Sequence, residues 1–275
     1  SRTLRPLSDL TQAAERIAGG SYSQRVSAHS SDEVGRLAGN FNRMAAAVET
    51  HVDTLREQNQ RQKLFIGAVT HELKTPLTSL LLNVNTLKTV YLPEEKQEAL
   101  FVSMDTQLHW LETMVKKLLT LLSMQKNARR SESSVPELLE RAQTLTEPIC
   151  AKYGVSLKTV CRANTFSMDS DLMCSALVNL VENSAKASNP GDVIEVLADQ
   201  KGFVVMDHGR GIPEKELARV TDPFYMGDPS RSKQSGGFGL GLALVKEIAA
   251  VHGGRLEIES QPERGTTARI TLPHP

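Results

Sequence analysis

The chain has 275 residues, 40% of them hydrophobic, with Lys+Arg and Asp+Glu both at 32 and a formal net charge of zero. That length allows more than one packed unit, and the balanced charge excludes a general nucleic-acid binder, which carries a basic excess or a basic stripe. The three cysteines, Cys150, Cys161 and Cys174, lack metal-ligand spacing and are expected as buried, small apolar side chains in a reducing compartment. No run of about 18 apolar residues occurs, so no segment is predicted to cross a membrane. A start at Ser1 without a signal peptide reads as an excised or processed fragment.

In chain order, Leu4, Leu7, Leu10 (or Thr11), Ala14 and Ile17 form the seam of a short helix that stops at Gly19-Gly20. A polar connector carrying Tyr22 and Val26 follows. The next helix begins near "SSDEVGRL", with Ser31 or Asp32 as N-cap. Val34, Leu37, Phe41, Met44 and Val48 then recur three and four apart, as heptad a and d positions do. His51 takes the next d position and Leu55 an a position, Gln58 and Gln62 turn the seam polar, and Phe65 and Val69 resume it. A second run is cleaner: Phe101, Met104, Leu108, Leu111, Val115, Leu118 and Leu122. "YLPEEK" (Tyr91 to Lys96) is the turn between the two runs.

Two long amphipathic helices in a hairpin leave apolar surface uncovered, and dimerisation into a four-helix bundle covers it. For the heptads alone, an antiparallel coiled coil without chemistry is the simpler reading. Two features sit oddly in it. His71 falls two residues past an a position, which points it to solvent. Pro76 stands inside the run, where it removes an N–H and crowds the carbonyl of Glu72, so the helix is expected to loosen or bend within a turn of His71.

Only Gly67 lies between Gly39 and Gly154, after which glycines and alternating segments become frequent. The polar stretch Gln125 to Ser134 therefore separates a helical half from an α/β half. Ser134-x-x-Glu137, a capping box with Pro136 in the first turn, starts a helix running to about Lys152. "VSLKTV" (Val155 to Val160) alternates as a strand. A helix from near Asp169 carries "NLVENSAK", in which Asn179, Glu182, Asn183 and Lys186 share a face while Leu177, Leu180 and Val181 help form the buried side. Such a stripe is usually a solvated face, but asparagine is a mediocre helix former whose amide oxygen can bind a hard cation.

"FVVMD" (Phe203 to Asp207) is a buried strand ending on a carboxylate, with "HGRGI" (His208 to Ile212) after it. A plain strand–turn is the default. The alternative is a ligand site, in which the glycines admit a flat molecule and Asp207 accepts from an exocyclic amine. "DPFY" (Asp222 to Tyr225) comes next, then Gly237, Gly239 and Gly241 before an apolar helix from Ala243 to His252. Glycine N–H groups at a helix N-terminus suit a phosphate. "RLEIES" and "TTARITL" read as an antiparallel hairpin. The absence of G-x-x-x-x-G-K-[ST], and a glycine loop this late in the order, exclude the P-loop and Rossmann arrangements.

Taken in order, "HELKTP", "NLVENSAK", "DHGRGI", "DPFY" and "GGFGLGL" resemble the H, N, G1, F and G2 boxes of sensor histidine kinases of two-component systems. The first segment, with Pro6 and "DEVGRL" (Asp32 to Leu37), resembles a HAMP domain. The resemblance spans essentially the whole chain and implies a multidomain fold. A HAMP module (1–52) and a dimeric four-helix-bundle hairpin (53–128) would make an all-α half, followed by an α/β two-layer sandwich that binds ATP (129–275).

The resemblance further implies Mg-ATP-dependent autophosphorylation of His71 at Nε2, with Glu72 as base for the other ring nitrogen. Transfer to an aspartate of a response regulator would follow, and Glu72-x-x-Thr75 fits dephosphorylation of that regulator. Asn183 would ligate Mg²⁺, with Asn179 and Lys186 near the triphosphate. Asp207 would read adenine in a pocket shaped by Gly209 and Gly211. Phe224, Tyr225, Arg231 and Lys233 would belong to the F box and lid, and Gly237, Gly239, Leu240, Gly241 and Leu242 to the phosphate side. A homodimer is implied, with a regulator and ATP but no nucleic acid as partners. The chain would be the cytoplasmic portion of a bacterial membrane protein, preceded by transmembrane and sensor segments.

Three positions depart from the family pattern: His208 replaces a common asparagine, Ser184 replaces alanine, and Met226 stands where many relatives carry Arg or Lys. The last role could pass to Arg231 or Lys233. Two rival readings are a non-kinase ATPase of the same nucleotide fold, which leaves His71 unexplained, and an ATP-binding scaffold or phosphatase without kinase activity.

Overall fold

The computed structural model describes residues 4–27, 33–127, 130–227 and 239–273. It divides into two compact units, Ser1–Thr70 and His71–Pro275. In the first, α1 (Leu4–Ala18) ends as expected at the glycine pair: Gly20 takes φ 95°, its N–H bonds Ile17 O and that of Ser21 bonds Arg16 O. Leu10 and Ala13 pack against Val26 and against Ala38 of α2 (Glu33–Thr89), with Phe41 alongside. Asn42 pins the connector by a paired bond, its Nδ2 donating to Val26 O (2.8 Å) and its Oδ1 accepting from Val26 N (2.9 Å). The buried stripe thus runs through alanines 38 and 45, while Leu37 and Met44 of the expected seam stay exposed. Small residues let α1 approach closely, while Leu37 and Met44 face elsewhere. Ser31 and Asp32 lie outside the described residues.

In the second unit α2 runs on to Thr89, and a turn at 90–93 leads into α3 (Glu94–Asn127). Gln107 Nε2 donates to Ser79 Oγ (2.8 Å) and fixes the register of this hairpin. The heptad seam of α3 splits in two. Met104, Leu111 and Leu118 are half-buried, whereas Phe101, Leu108, Val115 and Leu122, seven residues apart, are exposed. Pro76 does not interrupt α2: its ring is buried, and the helix continues for thirteen residues beyond it. One missing hydrogen bond costs a long helix little of its cooperativity.

The α/β part begins with a two-stranded antiparallel ribbon, β1 (Ser131–Ser134) against β3 (Thr165–Met168). Between them lie α4 (Val135–Tyr153), capped by Ser134 Oγ accepting from Glu137 N, and β2 (Ser156–Cys161). Then come α5 (Ser170–Ala187), β4 (Val193–Asp199), β5 (Gly202–Asp207), the single turn α6 (Glu214–Leu217), α7 (Gly241–Val251), β6 (Arg255–Gln261) and β7 (Gly265–Thr271). The main sheet has order β2-β4-β5-β7-β6, parallel at β2–β4 and antiparallel elsewhere. Leu138 of α4, Leu177 and Val181 of α5 and Leu244 and Ile248 of α7 share one core with Ile194, Phe203, Val205 and Ile270 of the strands. One helical layer on one sheet is the expected two-layer sandwich. Cys150 and Cys174 are buried, but Cys161 is exposed because it ends an edge strand.

His252, 1% exposed, ties two helices together. Its Nδ1–H donates to Ile248 O (2.7 Å) in α7, and its Nε2 accepts from Asp169 N (2.9 Å). Asp169 in turn caps α5 through Asp171 N and Leu172 N. Replacing His252 by leucine removes the acceptor of a buried N–H, so a loss of about 2–3 kcal/mol is expected in urea unfolding, with the neutral isostere glutamine losing less.

Candidate functional site

A cavity of about 480 Å³ opens between α5 and the ends of β5 and β7. Asp207, the last residue of β5, lies in its wall and is held from three sides. Its Oδ1 accepts from Gly209 N and Thr266 N (both 3.1 Å), and its Oδ2 accepts from Ser184 Oγ (2.8 Å). An acceptor fixed by three donors presents its remaining lone pair in one direction, which suits an amine. The glycines of the following turn are needed there. A Cβ on Gly209 would stand 2.3 Å from Ala187 O, and Gly211 has φ 66° with Gln261 O 2.0 Å from its would-be Cβ. His208 is exposed.

At the other end of this cavity the α5 stripe is not a solvated face. Asn179 is 5% exposed; its Nδ2 donates to Ser175 O (2.7 Å) and its Oδ1 has no partner among the described residues. A Cβ on Gly241, the first residue of α7, would lie 3.3 Å from that oxygen and 3.4 Å from Asn183 Nδ2. The N-terminus of α7 thus faces both amides. Lys186 Nζ lies 2.7 Å from Glu182 Oε1, and Lys117 Nζ, from α3, lies 3.6 Å from Glu182 Oε2. Burial would raise the Glu182 pKa, but Lys117 and Lys186 outweigh it and hold the carboxyl below its ordinary range. Burial also pushes the Lys117 ammonium below its usual range, against the pull of Glu182. Lys117 belongs to no sequence motif, and nothing in its neighbourhood along the chain signals this position.

No group of three His, Cys, Asp or Glu side chains that could cage a metal occurs among the described residues. The available donors are amide oxygens, with Asn179 Oδ1 buried and unmet. They fit a hard cation that takes its remaining ligands from a bound phosphate rather than a closed protein site.

Phe224 N donates to Gly239 O (2.9 Å), and Tyr225, Met226, Gly239 and Leu242 line the cavity. Arg219 stacks on the Tyr225 ring at 4.5 Å. Leu240 is fully buried instead. Arg231, Lys233 and Gly237 lie outside the described residues.

His71 lies on α2, outside the cavity lining, with its side chain 79% exposed. Its Nδ1 is 3.3 Å from Glu72 Oε1. A carboxylate there selects the tautomer with hydrogen on Nδ1 and leaves Nε2 with a free lone pair toward solvent. Thr75 lies one turn on, its hydroxyl 3.5 Å from His71 O.

Three family models match in succession: the HAMP domain over residues 1–50, the His Kinase A (phospho-acceptor) domain over 61–127, and the histidine kinase-, DNA gyrase B- and HSP90-like ATPase over 168–275. Among curated proteins, the chain is 34% identical over 299 residues to the signal transduction histidine-protein kinase/phosphatase MprB of Mycobacterium sp. (strain KMS), covering 98% of this chain and 53% of that one. It is 29% identical over 274 residues to the sensor histidine kinase YclK of Bacillus subtilis (strain 168), covering 96% and 58%. The chain therefore spans little more than half the length of these relatives. Among solved structures, histidine kinase ThkA in complex with the response regulator protein TrrA superposes with a TM-score of 0.60 at 23% identity, covering 78% of this chain and 62% of that one. That likeness is one of fold.

Proposed function

Since the chain belongs to the sensor histidine kinases of two-component systems, we propose that it phosphorylates its own His71 from ATP, passes the phosphoryl group to an aspartate of a response regulator, and removes it again. The observation that carries the reading is the exposed imidazole of His71 with Glu72 on its Nδ1 side. Nε2 attacks the γ-phosphorus, the bond to the bridging oxygen breaks, and ADP leaves with that electron pair. Glu72 takes the Nδ1 proton as the nitrogen–phosphorus bond forms. Asp207 orients the base by accepting from its exocyclic amine. Lys186, the α7 N-terminus and its glycines hold the phosphates. Asn183 and Asn179 would hold Mg²⁺, which supplies charge neutralisation at the phosphates. Because the transition state is loose, positioning supplies most of the rate.

Several features support the wider reading. The exposed stripe Phe101, Leu108, Val115 and Leu122 suits a second copy of the hairpin, giving a homodimer. ThkA, of like fold, forms a complex with the response regulator protein TrrA, which supports a regulator as partner here. No helix among the described residues is long and apolar enough to cross a membrane; we place the chain on the cytoplasmic side of a bacterial membrane, divided at 1–52, 53–128 and 129–275.

The test is incubation with γ-labelled ATP. Acid-labile, alkali-stable label on the protein is expected, whereas free phosphate alone would favour a non-kinase ATPase of this fold. For the phosphatase step, named for MprB, Thr75 would orient the attacking water. Thr75→Ala should keep self-labelling within about twofold and slow dephosphorylation of the phosphorylated regulator about tenfold or more. Equal rates in single-turnover assays would remove Thr75 from that role.

A further inference from the structure

The nucleotide cavity has a neighbour of about 130 Å³, and the two share Asn183, Lys186, Val220, Tyr225, Gly239 and Leu242 in their walls. One wall residue of the smaller space comes from the hairpin: Lys117 of α3. Its side chain is 19% exposed. An ammonium so far out of water is costly unless charges near it, or ligands, make up the loss. Lys117 and Lys186 both converge on the single carboxylate of Glu182.

Asp207 bounds one end of the larger cavity, while Gly241 and Lys117 line the smaller space beyond Asn183. A nucleotide whose base is held at Asp207 has its terminal phosphate farthest from that carboxylate, at the Lys117 end. Two further observations mark that end for a ligand. The N-terminus of α7, eleven residues long, opens there with its N–H groups, which suit the phosphates, and the buried Oδ1 of Asn179, an acceptor unmet beside Gly241, suits the cation that accompanies them. The other wall carries Met226, which brings no charge where the family resemblance expects a cation.

Hairpin register adds a third. Ser79 is bonded to Gln107, so eight residues back along α2 brings His71 level with Val115, and Lys117 falls about 3 Å farther along the axis. The cation and the phospho-acceptor thus occupy the same level of the hairpin.

We propose that Lys117 contacts the terminal phosphate of bound ATP, so that the phosphotransfer hairpin supplies a cation to the nucleotide site. The inference rests on the ATP reading above. It makes the hairpin sensitive to whether the bound nucleotide carries a third phosphate.

Calorimetric titration with Mg-ATP and Mg-ADP tests it on the intact chain, on Lys117→Met and on Lys117→Arg. Lys117→Met is expected to weaken ATP binding about tenfold and ADP binding less than twofold, with Lys117→Arg recovering most of the preference. ADP affinity doubles as the control for folding. ATP and ADP affinities that fall by the same factor, or do not change, would overturn the proposal while leaving the ATP reading intact. Unaltered protein that binds neither nucleotide would overturn both.

Discussion

His71→Gln is expected to abolish self-labelling from γ-labelled ATP, by at least about 10³-fold, while leaving nucleotide affinity within about twofold. Glutamine matches the reach of the imidazole and keeps a polar group toward water, so the exposed helix surface should lose no more than about 0.5 kcal/mol. What it lacks is a ring nitrogen with a free lone pair. The ring meets Glu72 on its Nδ1 side, and this directs the reactive pair to Nε2, the atom facing solvent. Two neighbouring groups cannot substitute: the amide nitrogen of glutamine is delocalised into its carbonyl, and Glu72 would yield an acyl phosphate with the opposite acid and alkali stability. Label persisting at the unaltered rate, with the same stability, would place the acceptor elsewhere. Titration of ADP in parallel separates loss of chemistry from loss of the site.

Asp207→Asn should weaken ATP binding about 100-fold with little change in folding stability. The reason lies in which neighbours can adapt. Gly209 N and Thr266 N can only donate, so the asparagine oxygen must take the place of Oδ1. Its amide nitrogen then takes the place of Oδ2 beside Ser184, whose hydroxyl can rotate from donating to accepting. The fold is satisfied. The base, however, now meets a donor where it presents a donor. A purine with a 6-oxo group in place of the amine should lose less, or gain, so the preference for ATP over inosine triphosphate should fall in competition titrations. An unchanged preference would remove Asp207 from base recognition.

Much of this architecture is legible residue by residue. Ser134, Asp169 and Gly20 announce helix ends through local hydrogen bonds made within a few residues, and β5, β6 and β7 alternate or run apolar as strands do. The ribbon strand β1, "SESS", is polar throughout and exists because β3 pairs with it from thirty-odd residues away. The strand β4 does alternate, "VIEVLAD", yet it follows a turn with no motif to draw notice. The site divides in the same way. Asn179, Asn183 and Asp207 stand in contiguous stretches whose composition signals them. Lys117 and His252 act through partners far along the chain, Glu182 and Asp169, and a lone lysine in a helix or histidine just past a helix end carries no mark of such a partner. Ser184 is intermediate, visible as a substitution but not as a donor to Asp207.

The exposed stripe of α3 has a geometric consequence for assembly. Phe101, Leu108, Val115 and Leu122 repeat at seven residues, whereas two turns of a straight helix take slightly more, so the stripe drifts around the axis by ~20° per heptad. Over the three heptads the drift reaches roughly 60°. To keep all four side chains against one partner, the paired helices must wind around each other with left-handed sense. A partner that stays straight can seat one end of the stripe only by lifting the other, so supercoil and continuous contact come together or not at all.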